Sequence, residues 1–310
     1  MCEQQLAIMG NTQADIYFGA KREQEPEEYE ALKQVASKFH SQEEKEKLVQ
    51  VKKEILSSYL AQNQQLCEFV ALACLRFRRY DVASAIERMT SYFTWRIKTM
   101  GDLNEQDISE GSQLHRVSQL NLIKLLPELT DRGQSIMYLR LAKARPDLFE
   151  ATDVVKLGHY TIMAALKRSP ISQVMGIVTI SDLGNAGSAQ VDREVPKKMI
   201  KMVSRNLPLR LSGIMIVHPN FLVSIILPIA KLFMSAKMAS RLKVVSDNNE
   251  LCDYYGIKRS ILPKSIGGEI EITEDGSVFI GVKKDARRDD KIVEEGVEEE
   301  EGGEKEEVSF

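Results

Sequence analysis

Cysteine is scarce in this chain, and its placement excludes a disulfide framework. Only Cys2, Cys67, Cys74 and Cys252 occur, with no paired short spacing. Such usage fits free thiols in a reducing compartment better than a cross-linked secreted scaffold or a zinc site. The opening Met1-Cys2-Glu3-Gln4-Gln5 has no basic start followed by an apolar core, so no secretory signal is expected and the cytoplasm is the expected location. Catalytic signatures are equally missing. There is no G-x-S-x-G elbow, no G-x-x-x-x-G-K-[ST] phosphate loop and no G-x-G-x-x-G dinucleotide turn. His40, His115, His159 and His218 stand alone, without i,i+4 pairing or nearby cysteines at metal-ligand spacing. No enzyme constellation, metal or cofactor is expected. Zinc-finger spacing, a recognition-helix pattern and RNA-stacking aromatic motifs are absent too, which argues against nucleic acid as a partner.

What is present is an ordinary globular composition, 43% hydrophobic and 28% charged over 310 residues, enough for a small helical unit plus a larger domain. The net charge of −3 conceals an asymmetry. From Glu294 to Phe310 there are nine glutamates and one lysine, a local charge of −8, so the rest of the chain is mildly basic at +5. A Glu/Gly tract without large apolar residues cannot offset chain entropy, and residues 283–310 are expected to be a disordered acidic tail. Residues 1–25, polar and glycine-containing, are expected to be loose.

Between these ends the hydrophobic period changes once. From Pro26 to about residue 105 it is helical: Lys45 to Leu60 reads as a charged helix with Leu48, Val51, Ile55, Leu56 and Tyr59 on one side. Asp81 reads as an N-cap before a stripe of Val82, Ala85, Ile86, Met89, Tyr92, Phe93 and Trp95. Over 106–282 short apolar strands alternate with helices. Strands are expected at 135–141, 175–181, 214–217 and 242–245, and helices at 152–168, 188–206 and 221–234. That alternation predicts an α/β fold, a mixed and largely parallel sheet flanked by helices, after the helical N-terminal domain.

Residues 214–234 are long and apolar enough to cross a bilayer, yet His218, Pro219, Asn220, Ser224, Pro228 and Lys231 divide them into strand, turn and helix. The helix is the unusual part, for Phe221, Leu222, Val223, Ile225, Ile226, Leu227, Ile229 and Ala230 leave it almost no polar face. It is either a core helix buried all round or a lid that covers an apolar ligand and meets lipid. Basic clusters at Arg76/Arg78/Arg79, Lys197/Lys198/Lys201/Arg205, Arg210 and Lys237/Arg241/Lys243 read as solvated faces or as a membrane-docking surface beside that lid. His159 reads as structural or as a base, and Asp182 as a turn residue or a functional acid at a strand end.

Read together, these segments resemble the CRAL-TRIO lipid-binding family over about residues 45–272, and particularly its tocopherol- and retinaldehyde-carrying branch. Arg76-Phe77-Arg78-Arg79-Tyr80-Asp81 is similar to the family's R-x-R-x-[FY]-D segment, followed at the expected distance by Tyr92 to Arg96. Gly176 to Leu183 resembles its strand ending in Asp. Asn206-Leu207-Pro208-Leu209-Arg210 with Gly213 and Ile214, then Leu262-Pro263 with Gly267-Gly268-Glu269, resemble its later motifs. The resemblance implies a pocket for a hydrophobic ligand, no catalytic residues, and a mobile gate at 219–234. It implies a lining of Val155, Ile162, Ile177, Ile180, Met199, Met202, Val203, Leu209 and Ile214, with Phe221, Val223, Ile225 and Ile229 from the gate. It also implies a phosphoinositide-binding cleft at Arg78, Arg210, Lys237 and Arg241. Two departures, Gly184-Asn185-Ala186-Gly187 after Asp182 and Gly158 with Ile162 on the 152–168 helix, point to a wider, drier pocket for an isoprenoid, retinoid, carotenoid or acyl chain. The expected function is an intracellular carrier, peripheral to membranes, that exchanges a hydrophobic ligand at phosphoinositide-containing membrane surfaces. The rival is an adaptor with a filled pocket whose acidic tail recruits a basic partner.

Overall fold

The computed structural model describes residues 26–104, 108–245 and 249–279. The expected loose start (1–25) and acidic tail (283–310) lie outside the described residues. The helical part opens with α1 (Pro26–Ala36) and α2 (Gln42–Lys53), continues with α3 (Ser57–Gln62) and α4 (Gln64–Phe77), and closes with α5 (Val82–Met100). The expected helix over 45–60 is therefore two. α2 begins at a Ser41 N-cap and ends at Lys53, and Leu56, expected in the core, is the exposed N-cap residue of α3. Asp81 caps α5 as its spacing predicts, its carboxylate accepting the Ser84 N–H at 2.7 Å.

One buried ion pair organises this region. Glu44 on α2 accepts the Arg76 Nε–H at 2.7 Å and an Nη2–H at 2.9 Å, a two-pronged contact with both side chains almost wholly buried. The remaining lone pairs take the Tyr80 hydroxyl and the His40 N–H, each at 2.8 Å. Arg76 stacks over Phe39 and spends its last nitrogen on Gln173, in α8 (Pro170–Met175) of the next region. Burial works against the Glu44 charge, but the Arg76 bonds and charge, the His40 N–H and the Tyr80 hydroxyl together hold its carboxyl below the ordinary range.

The second region is built on a five-stranded sheet in the order β1 (Ile123–Leu125), β2 (Ser135–Arg140), β3 (Ile177–Asp182), β4 (Leu211–Val217) and β5 (Leu242–Val244). β1 runs antiparallel to β2 and the other pairs are parallel. β1 and the six-residue helices α6 (Gln113–Ser118) and α8 went unread in the sequence, because pieces of three to six residues have no measurable period. One face of the sheet shares a continuous core with the helical region, α7 (Ala151–Arg168) and the segment after α9 (Glu194–Lys201). The other face packs Ile136, Tyr138, Val178, Ile180, Met215 and Val217 against α12 (Asn249–Tyr255) and the C-terminal turns. Gly213 is required there, since a Cβ would stand 1.9 Å from the Tyr255 hydroxyl oxygen.

The expected helix over 188–206 is shorter and compound. Pro196 sits in the first turn of α9, where its missing N–H costs nothing, and bars a regular helix from running in from upstream. After Lys201 the chain widens into a π-turn over Met202–Asn206. The 214–234 run divides as expected into β4 and α10 (Leu222–Phe233). Among the described residues no helix is long and apolar enough to cross a membrane.

Removing one partner of a buried pair leaves the other charge uncompensated. Glu44→Gln is therefore expected to lower unfolding free energy by roughly 3–5 kcal/mol in urea titration. Because the folded Glu44 carboxyl lies below its unfolded value, its contribution is complete above the ordinary carboxylate range and is lost as pH falls below that range through the folded value. The Gln variant should show a correspondingly flatter acid limb.

Candidate functional site

Two adjoining features occupy the side of the sheet facing α7, α9 and α10. The first is α10 itself. Almost every one of its twelve side chains is apolar, yet only Leu222 and Ala230 are buried. Val223, Ile225, Ile226 and Leu227 rest half-buried on Leu183, Ala186 and Ile216, while Phe221 and Leu232 are 58% and 80% exposed. These two lie eleven residues apart, three turns along one face of the helix.

The start of α10 is pinned. Asn220 donates from Nδ2 to the carbonyls of Leu183 (2.8 Å) and Ala186 (3.1 Å), and its Oδ1 accepts the Leu222 N–H. His218 adopts φ 48° and its Nδ1 lies 2.9 Å from Asp182 Oδ1. Asp182 also accepts the Tyr138 hydroxyl at 2.5 Å and the Gly184 N–H at 2.8 Å. Asp182 thus serves the turn reading: it ties the ends of β2, β3 and β4 beneath the start of α10. The end of α10 is looser. Met234 is extended, and α11 (Ala236–Ala239) begins at a fresh Ser235 N-cap.

The second feature is a cleft of about 460 Å³ between α1, the α4–α5 turn, the π-turn and α11. Among the described residues its wall holds Arg78, Arg79, Arg210, Lys237 and Arg241 against a single carboxylate, Glu28, a formal excess of four positive charges. Local backbone geometry sets the first two. After α4 the chain makes a Schellman-type end, with the Tyr80 N–H on the Leu75 carbonyl at 2.9 Å, and Arg79 and Tyr80 both take left-handed φ of 55° and 65°. Two such residues cost on the order of 1–3 kcal/mol each, and the Tyr80 hydroxyl on buried Glu44 holds them in place. The turn thereby aims Arg78 and Arg79 at the cleft, with Asp81 starting α5 directly behind. Arg210 is well buried, and burial lowers its pKa, while its hydrogen bond and charge pairing with Glu28 oppose that shift. Arg78 Nε is buried without a hydrogen-bond partner among the described residues.

Residues 121–268 match the model of the CRAL/TRIO domain. Among solved structures the chain is similar to the crystal structure of Sfh5, at 11% identity and a TM-score of 0.46, with 70% of this chain and 85% of that one covered. CRAL/TRIO domains bind and transfer lipids. The match spans all five strands, the full length of α10 and the Gly267-Gly268 turn; α1 and the Arg78–Arg79 turn lie before it.

Within the matched segment, the expected lining residues fall into several places. Val155, Ile162, Ile177, Met202, Val203 and Leu209 are buried in one core, with Met199 packed on it. Val223 and Ile225 belong to the α10 cluster, and Ile229 is half-buried on the same helix. Ile214 pairs with Thr179 on the α10 side of the sheet. Phe221 points outward. Ile180 does not join the others: three residues from Ile177 on a strand of period two, it projects into the opposite core. The expected headgroup residues Arg78, Arg210, Lys237 and Arg241 do come together on one cleft. The sequence cluster around them splits, since Arg76 is in the buried pair with Glu44 and Arg79 faces the cleft. Glu28 was not singled out, for nothing distinguishes it by spacing from Glu27 and Glu30. His159 is structural. Burial holds its imidazole well below its ordinary pKa, and it lies between Tyr92, whose hydroxyl is 3.2 Å from Nε2, and Trp95.

If Asn220 is the pin of α10, Asn220→Ala should speed amide exchange across 221–227 by about tenfold while leaving the sheet unaffected, as read by hydrogen–deuterium exchange with mass spectrometry.

Proposed function

We propose that this chain carries an apolar ligand beneath α10 and exchanges it at phosphoinositide-containing membranes, which it meets through the basic cleft. The observation that supports this most is α10, a twelve-residue helix whose only polar side chains are Ser224 and Lys231 and which the protein buries on one side only. Water does not favour such an arrangement, whereas a lipid interior does. Moving Phe221 and Leu232 from water into hydrocarbon is worth roughly 1.5–3 kcal/mol each, and phosphate contacts in the neighbouring cleft would hold the protein while they insert. The firm start and loose end of α10 suit a lid that swings from its Asn220 end. The carrier reading includes a peripheral, cytoplasmic-side location and places the chain with the tocopherol- and retinaldehyde-carrying branch.

The ligand chamber in this reading lies among Val155, Ile162, Met199, Met202 and Val203, between α7 and α9. Met199 rests in the notch left by Gly158, where a Cβ would be 2.6 Å from its methyl carbon. That contact bears on the rival, a pocket filled by side chains. A thioether arm at the far end of three rotatable bonds is the kind of filling a flexible chain displaces easily, so the contact favours the carrier. The apolar wall favours an isoprenoid, retinoid, carotenoid, tocopherol-like or acyl ligand.

Native mass spectrometry of the protein saturated with a total lipid extract is expected to give a one-to-one adduct of an apolar compound. An empty protein under those conditions would reject the carrier reading in favour of the adaptor. Phe221→Asp with Leu232→Asp is expected to slow transfer of that adduct between vesicles at least tenfold without lowering Tm, because both side chains are already in water.

A further inference from the structure

The cleft already contains an anion, and it belongs to the protein. Glu28 reaches in from α1 and divides its two oxygens among the cations. Oε1 lies 2.5 Å from Arg210, 2.8 Å from Lys237 and 3.5 Å from Arg79, and Oε2 lies 3.1 Å from Arg241. Its side chain is only 12% exposed. Four donors converging on one carboxylate are the set a phosphate would use, and a carboxylate and a phosphate cannot both hold them.

We propose that Glu28 is an internal stand-in for the ligand's phosphate, and that α1 works as an electrostatic latch that clustered phosphates must displace. This rests on the reading of the cleft as a phosphate site and adds how that site is regulated and which anions open it. Three observations support it. α1 is an eleven-residue helix that packs on α8, buries Leu32 and Val35 in the shared core and sets Tyr29 under Arg132, and it joins α2 through a turn in which His40 has φ 61°. Such a short attachment can lift without unfolding the body. Arg78 lines the same cleft, is half-buried and makes no ion pair with Glu28 among the described residues, so an arriving phosphate has a cation to meet before the latch opens. Charge sets the threshold. Glu28 offers one negative charge at high effective concentration, so a lone monoanionic headgroup gains little by replacing it. Two or more phosphate monoesters bring several charges to a wall with an excess of four positive ones.

The test compares wild type, Glu28→Gln and Arg210→Glu for binding to three probes. These are phosphatidylcholine vesicles with a few mole per cent phosphatidylinositol bisphosphate, vesicles rich in phosphatidylserine, and soluble inositol hexakisphosphate. Glu28→Gln is expected to bind the bisphosphate vesicles about tenfold more tightly than wild type and to gain binding to phosphatidylserine. Arg210→Glu should bind none of them. Binding of the soluble probe without the vesicles would identify the opener as a free polyphosphate instead of a lipid headgroup. In the wild type, hydrogen–deuterium exchange should show α1 amides exchanging faster when the soluble probe is bound, a readout that needs no variant. The latch is wrong if Glu28→Gln binds no more tightly than wild type, or if α1 becomes more protected on binding, while Arg210→Glu still loses binding. The phosphate reading itself fails if the wild type and Glu28→Gln prefer none of the anionic probes over plain phosphatidylcholine.

Discussion

The arrangement described here depends on a buried carboxylate that cannot be left alone. Removing Glu44 from water is tolerable only because Arg76, Tyr80 and the His40 N–H all converge on it. Each of these bonds constrains something else. Arg76 fixes α4 against α2 and, through Gln173, seats the helical region on the sheet region. Tyr80 holds a strained turn whose neighbours Arg78 and Arg79 would otherwise relax away from the cleft. The His40 bond sets the turn that leads back to α1, and therefore where Glu28 can reach. A single satisfied ion pair in the core thus determines the geometry of a charged cleft on the surface.

That cleft and α10 are opposite answers to one problem, which is how a folded chain keeps a surface poorly matched to water. The cleft concentrates cations whose mutual repulsion is relieved in part by Glu28. The helix exposes apolar side chains that repay insertion elsewhere. They lie side by side, with Lys237 and Arg241 directly following α10, and in the proposed carrier electrostatic attachment and apolar insertion would act together. Asp182, although it sits where parallel sheets often place reactive groups, is committed to Tyr138, His218 and the Gly184 N–H, so it holds the strand ends under the start of α10.

Much of this was legible in the chain of residues. Periodicity located α5, α7, α10 and the parallel strands to within a few residues, because each is long or apolar enough to show its period. It failed where elements are too short, as with β1, α6 and α8, and where one residue changes the course of the backbone. Pro196 shortens α9, and the exit from α2 at Glu54 divides an apparently continuous helix. The cations of the cleft were found as a resemblance, and Ile180 was misplaced by the same means, because a motif transfers positions without transferring which face of a strand they occupy.

The order of residues was enough to give the class of the protein: a helical unit, an alternating α/β unit, and one helix with almost no polar face. Those features depend on local period and composition, which every short stretch of chain expresses on its own. It took the folded chain to send Arg76 away from its neighbours into the core, to bring Arg78, Arg79, Arg210, Lys237 and Arg241 together, and to set Glu28 among them. Such pairings are chosen by folding across separations of up to 213 residues, as between Glu28 and Arg241. A carboxylate carries no mark of the cation it will find, because its ordinary solvation is the same at every exposed position until the rest of the chain has closed around it.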